Sequence, residues 1–267
     1  SELLASDDVL GAALQNSGKW PEGSEVLNEC AQHRPYGRHL MAEQQPKEFP
    51  SLEARWKFVA QTLKKAPTVK FVPMIGSLGC PYTCTFCIDS TVDYQPLSFE
   101  QLGTDLAFLL TKMKNPIVGW HDPNFGVRFE EYMEAIERSV PEGRMRHIAE
   151  SSLSLLSEPH AERLGRNGCV AILPGIESWN AFGNKSMSGN VVGIEKVKLV
   201  ANYLNAVAKH IPAVGVNFLI GLDENDGDET FELTKRFVDE APAIFIVNLL
   251  LTAYGQSTPL HLAERIV

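Results

Sequence analysis

Along residues 69–250, short apolar runs alternate with longer segments in which apolar residues recur every three or four positions. The short runs fall near 69–75, 116–121, 145–149, 169–174, 213–220 and 243–250 and predict six β-strands. The longer segments predict helices over about 98–114, 128–139, 153–166, 191–210 and 229–240. In the fourth of these, Val197, Val200, Leu204, Val207 and Ile211 share one helical face. Ser98 is placed to cap the first and Ser152 the third, because a hydroxyl satisfies amide groups that the first turn leaves unpaired. Strands separated by helices imply parallel pairing with right-handed crossovers. Strands that are apolar throughout imply that both faces are covered. Six such units build either an open doubly wound sheet or a curved partial barrel, and periodicity alone fits both. Residues 1–67 differ. They carry Pro21, Pro35, Pro46 and Pro50 and one convincing helix over about 51–65. They are expected to form an irregular helical extension packed against an α/β domain of residues 68–267.

Length and charge narrow the function classes. A chain of 267 residues is long enough for one α/β domain with an extension. A net charge of −9 argues against a general nucleic-acid-binding surface, though not against RNA held in a local basic patch. The longest apolar stretch, residues 241–253, is interrupted by Pro242, Asn248 and Thr252 and reads as a strand rather than a membrane span. With no basic-then-apolar leader pattern at the start, a cytoplasmic location is expected.

The cysteines change the picture more. There are five, Cys30, Cys80, Cys84, Cys87 and Cys169. An odd count with three crowded together points to metal rather than to a disulfide framework. The stretch Gly79-Cys80-Pro81-Tyr82-Thr83-Cys84-Thr85-Phe86-Cys87 directly follows the first strand. Three thiolates suit an iron–sulfur cluster, being soft anionic donors. On a four-iron cube they leave one iron open for a small chelating molecule. A zinc site completed by His121 or Cys169 is the alternative reading of the same spacing. Cys169, at the start of the fourth strand, and Cys30, without partner spacing, read as structural thiols.

This C-x-x-x-C-x-x-C loop, with the aromatic Phe86 before its third cysteine, resembles that of the radical S-adenosylmethionine superfamily. The likeness extends over about Val69 to Leu260 and implies a (β/α)6 partial barrel, with the loop at the carboxyl end of the first strand. Active sites of such barrels lie at the carboxyl ends of the strands. The second strand ends in His121-Asp122-Pro123-Asn124-Phe125, similar to the subset containing cobalamin-binding radical enzymes and methylthiotransferases. The resemblance implies that Asp122 and Asn124 contact the methionine amino group or the substrate; an Asp/Asn turn at a helix start is the alternative. Glu150, at the third strand end, is a further candidate for the pocket. Gly175-Ile176-Glu177-Ser178 resembles the family's fourth-strand motif and implies that Glu177 and Ser178 contact the ligand, a carboxylate being suited to a ribose diol. Lys185, eight residues further on, reads as a surface lysine more than as a carboxylate partner. Asn217, Ile220 and Gly221 resemble the stretch that supports adenine, and Tyr254 lies in the segment after the last strand.

What the resemblance implies is an enzyme holding a [4Fe–4S] cluster on Cys80, Cys84 and Cys87, with S-adenosylmethionine as its second cofactor. An electron from a reductant such as flavodoxin or ferredoxin cleaves S-adenosylmethionine to a 5′-deoxyadenosyl radical, which takes hydrogen from the substrate. Two alternatives accompany it. One is a cobalamin-dependent methyltransferase whose cobalamin domain lies outside this chain. The other is an iron–sulfur protein without turnover.

Overall fold

The structure is a computed structural model and describes residues 49–65, 71–82, 84, 87, 89, 92–180, 191–220 and 227–250. All belong to one compact unit spanning residues 46–267. The elements run in the order α1 (Leu52–Lys65), β1 (Phe71–Met74), β2 (Ser77–Leu78), β3 (Gln95–Pro96), α2 (Phe99–Lys112), β4 (Ile117–Trp120) and α3 (Phe129–Ser139). They continue with β5 (Arg146–Ser152), α4 (Glu158–Arg166), β6 (Cys169–Glu177), α5 (Gly193–Val207), β7 (Ala213–Ile220), α6 (Asp228–Glu240) and β8 (Ile244–Leu250).

Six strands pair in parallel in the order β1-β4-β5-β6-β7-β8. A doubly wound sheet reverses its strand order at a switch point. Here each strand is added beside the last, with a helix between each pair, which is the (β/α)6 partial-barrel arrangement. One face of the sheet, including Val72, Val118, Ile172 and Val214, is buried in a single core with helix residues such as Leu106, Met133 and Leu204. Register places Phe71, Ile148, Leu173 and Asn217 on the opposite face, where side chains are half-buried or exposed. That face is the concave wall.

α1 packs on α2. Trp56 meets Phe108 edge to face at 5.8 Å, and the Leu52 N–H donates to the Asp105 carboxylate at 2.9 Å. Ser98 caps α2, its hydroxyl accepting from the Gln101 N–H at 3.1 Å. The expected third helix is in fact two pieces, a 3₁₀ turn over Leu153–Leu155 and then α4. Ser157, not Ser152, caps α4. The reason is that β5 runs longer than its apolar pattern: Ser151 and Ser152 remain paired with Pro174 and Gly175 of β6. Among the described residues, no helix is long and apolar enough to cross a membrane.

Candidate functional site at the carboxyl ends of the strands

The cysteine loop leaves β1 and returns through β3. β2 and β3 pair antiparallel and pinch it at its base. The Leu97 N–H also donates to the Gly76 carbonyl at 2.8 Å. Gly79 opens the loop at φ 63, and a Cβ there would lie 2.4 Å from the carbonyl oxygens of both Val92 and Asp93, so the two arms approach too closely for any side chain. Cys80 and Cys84 are buried and Cys87 is half-buried, with a Cys87 N–H to Cys84 carbonyl bond of 3.2 Å turning the chain between them. None of these three is in a disulfide. Among the described residues, no three His, Cys, Asp or Glu side chains gather as a site for one metal ion. Cys169 begins β6, at the opposite end of the barrel from the loop, and burial pushes its thiol up to about 12.

A chain of polar side chains ties the loop to the neighbouring strand ends. The Tyr82 hydroxyl lies 3.3 Å from Ser154 Oγ, which lies 3.1 Å from Ser152 Oγ. Asn124 Nδ2 in turn donates to Ser152 Oγ at 3.4 Å. Asn124 is 2% exposed, and its Oδ1 has no hydrogen-bond partner among the described residues. A buried acceptor left open at the strand ends suits a ligand that brings a donor. Glu150 is exposed, opposite Leu173 in register, and its carbonyl accepts from the Phe125 N–H at 3.0 Å.

Asp122 is 4% exposed and is bonded to Tyr132 of α3. Its carboxylate accepts from the Ser77 hydroxyl at 2.7 Å, from the Gly76 N–H at 3.2 and 3.3 Å, and from the Tyr132 hydroxyl. Burial raises its pKa above the usual carboxylate range, against the pull of those donors.

Glu177 closes β6. Its φ is 65, a left-handed value uncommon for a side-chain-bearing residue, and the β6–β7 register shifts between Gly175 and Glu177. The Ser178 N–H bonds back to the Ile176 carbonyl at 2.8 Å across this turn. The Glu177 carboxylate folds over Gly175, lying 2.3 Å from where a Cβ on that glycine would sit. The same rim row holds Ser152, Gly175 and Asn217 side by side. Ser178 is buried, and its hydroxyl is occupied by the Asn180 N–H at 3.1 Å, so it shapes the turn. Lys196 of α5, 3% exposed, supports the turn from below by donating to the carbonyls of Ser178 and Asn180. Burial draws its ammonium down to about 8, with the Glu177 charge pulling the other way. Sequence reading missed Lys196, Tyr132, Ser77 and the Tyr82–Ser154 link. Buried polar residues on otherwise apolar faces were the available signal for Lys196 and Tyr132. Phe86, Lys185, Gly221, Tyr254 and Cys30, and the side chain of Ile220, lie outside the described residues.

The concave wall between these rims is largely apolar. Phe71 from one edge strand lies over Gly119, and Phe245 from the other lies over Gly215.

Compared with known proteins, residues 74–236, more than half of the chain, match the family model described as the Radical SAM superfamily. A bacteriochlorophyllide d C-12(1)-methyltransferase from Chlorobaculum tepidum is 28% identical over 191 residues, covering 69% of this chain and 41% of that protein. The chain thus spans under half the length of that curated relative. Streptococcus suis SuiB bound to S-adenosylmethionine aligns over 90% of this chain and 59% of its own, at 13% identity and a TM-score of 0.51, a likeness of fold. The cobalamin-dependent S-adenosylmethionine radical enzyme OxsB with aqua-cobalamin bound aligns over 64% of this chain and 27% of its own, at 18% identity and a TM-score of 0.47.

Proposed function

The chain belongs to the radical S-adenosylmethionine superfamily, and from that premise we propose that Cys80, Cys84 and Cys87 hold a [4Fe–4S] cluster beside bound S-adenosylmethionine. The observation that carries this is one loop bearing three thiols outside any disulfide, pinched at its base, at the carboxyl end of β1. The donor set fits the group, since thiolates are the usual cluster ligands and a cube spreads them over three corners. When bound, the cluster supplies the electron that cleaves S-adenosylmethionine to methionine and a 5′-deoxyadenosyl radical.

The protein's own share is binding, orientation and exclusion of water. Glu177, turned over Gly175 at the rim, brings a carboxylate acceptor to the ribose diol. Asn217, half-buried beside Gly175, and Asn124, with its open Oδ1, offer further polar contacts. The apolar wall below takes the substrate and keeps water from the reacting carbon. The reading places the chain in the cytoplasm, with flavodoxin or ferredoxin as the one-electron donor. Residues 68–267 form the catalytic part.

Methyl transfer to a large apolar substrate is the second reading. It is favoured by the Chlorobaculum relative, a methyltransferase by name. In that reading cobalamin is carried by a domain outside this chain.

The test is anaerobic reconstitution with iron and sulfide, followed by reduction and mass spectrometry of the products. Wild-type protein is expected to bind iron and to release 5′-deoxyadenosine, slowly even without substrate. Cys80→Ala, Cys84→Ala and Cys87→Ala should each lose the cluster's visible absorbance and this product, while Cys169→Ala keeps both. A loaded, reduced wild type that releases no 5′-deoxyadenosine would favour an electron carrier. An essential Cys169 would overturn the three-cysteine assignment.

A further inference from the structure

We propose that Asp122 is a positioning residue: with Ser77, Gly76 and Tyr132 it locks the neck of the cysteine loop and so sets where the three thiols stand. The inference rests on the cluster assignment above and departs from the amino-group role that the motif around Asp122 implies. Segments from three parts of the fold meet at this carboxylate. Gly76 and Ser77 leave β1, Asp122 follows β4, and Tyr132 projects from α3. The network is built closely. A Cβ on Gly76 would come 2.2 Å from the Tyr132 hydroxyl, so only glycine lets the ring reach the carboxylate. The Tyr132 ring is itself held by Phe99, Trp120 and Phe125, at centroid distances of 5.0, 5.6 and 4.8 Å.

Position in the chain supplies the consequence. Ser77 begins β2, and Cys80 follows three residues later. The residues that Asp122 grips are thus the last ones before the loop opens. The paired strands β2 and β3 fix the loop's two arms to each other. The Asp122 bonds fix that pair to the barrel. Without them the loop keeps its internal turn but loses its registration with the other strand ends, where Asn124 and Glu177 stand.

The test compares Asp122→Ala, Ser77→Ala and Tyr132→Phe with wild type, Tyr132→Phe keeping the ring and removing only the hydroxyl. Hydrogen exchange is followed across residues 76–97 in the metal-free full chain. Iron content and the electron paramagnetic resonance spectrum are then read after reconstitution, and S-adenosylmethionine affinity by equilibrium dialysis on the loaded fraction. Each variant should speed exchange at the neck by about tenfold or more, the effect of losing one hydrogen bond to a charged group. All three should lower iron retention and shift the cluster spectrum in the same sense, and any fall in affinity in the loaded fraction should appear only together with that shift. An Asp122→Ala protein with full iron, an unchanged spectrum and affinity reduced about tenfold or more would instead place Asp122 on the ligand amino group. Faster neck exchange with iron and spectrum unchanged would also overturn the positioning role. A wild-type chain that takes up no iron would sink the cluster assignment, while the exchange data would still show whether Asp122 holds the neck.

Discussion

At the scale of single residues, Glu177 holds a left-handed backbone position that costs a residue with a Cβ about 1–3 kcal/mol. The surroundings offset it: the Ser178 N–H closes the turn, and Lys196 draws the two following carbonyls inward. The result is a carboxylate carried back over the rim instead of on along the strand. A charge-assisted hydrogen bond is worth roughly 1.5–3 kcal/mol, so Glu177→Ala should weaken S-adenosylmethionine binding by about one to two orders of magnitude. Cluster content should be unchanged, which separates this defect from loss of a cysteine. Calorimetry on the reconstituted variant would decide it, and wild-type affinity would remove Glu177 from the site. The residue type and its place after an apolar strand were visible in the sequence. The inward turn was not, because it depends on Lys196, nineteen positions away on another element.

At the scale of elements, local chemistry set most boundaries. Ser98, Glu100 in the first turn and Lys112 in the last all favour α2 where the periodicity put it. Removing the Ser98 hydroxyl leaves the Gln101 N–H without its acceptor. Ser98→Ala should therefore lower stability by about 1 kcal/mol, with the urea midpoint falling and the slope unchanged. No change in midpoint would mean that solvent replaces the cap without cost. Where expectation and structure part, at β5 and α4, pairing overrode propensity. Leu153 and Leu156 continue a helix-like apolar spacing, yet β6 extends far enough to hold Ser151 and Ser152 in the sheet. The helix then starts at the next good cap, Ser157, with Pro159 in its first turn.

At the scale of the whole molecule, the layer beneath the helices contains a histidine that titrates against the fold. His147 is fully buried and accepts from the Trp120 indole N–H at 3.1 Å through Nδ1. Burial lowers its pKa from 6.5 to about 4. The unfolded chain therefore takes up this proton first as pH falls. The contribution is complete above about pH 6.5 and is lost progressively down to about pH 4, amounting to on the order of 3 kcal/mol. Urea midpoints of the metal-free chain should fall steeply through that window. A His147→Gln variant, whose side-chain oxygen still accepts from Trp120, should lose that part of the slope. An equally steep fall in the variant would assign the acid sensitivity to other groups.

The sequence by itself determined the alternation of strands and helices, the position of the cysteine loop and the family, because periodicity, capping and ligand spacing are local properties of the chain. Tertiary structure alone decided which partners each polar side chain at the strand ends meets. Asp122 and Asn124 stand two residues apart in one motif, yet the first accepts from Ser77, Gly76 and Tyr132 while the Oδ1 of the second has no partner among the described residues. Glu177 and Ser178 are adjacent, yet one carboxylate turns over the rim and the other hydroxyl closes on Asn180. Such differences rest on partners brought together from other strands and helices, and hydrogen-bond partners distant in sequence leave no periodic trace in the chain.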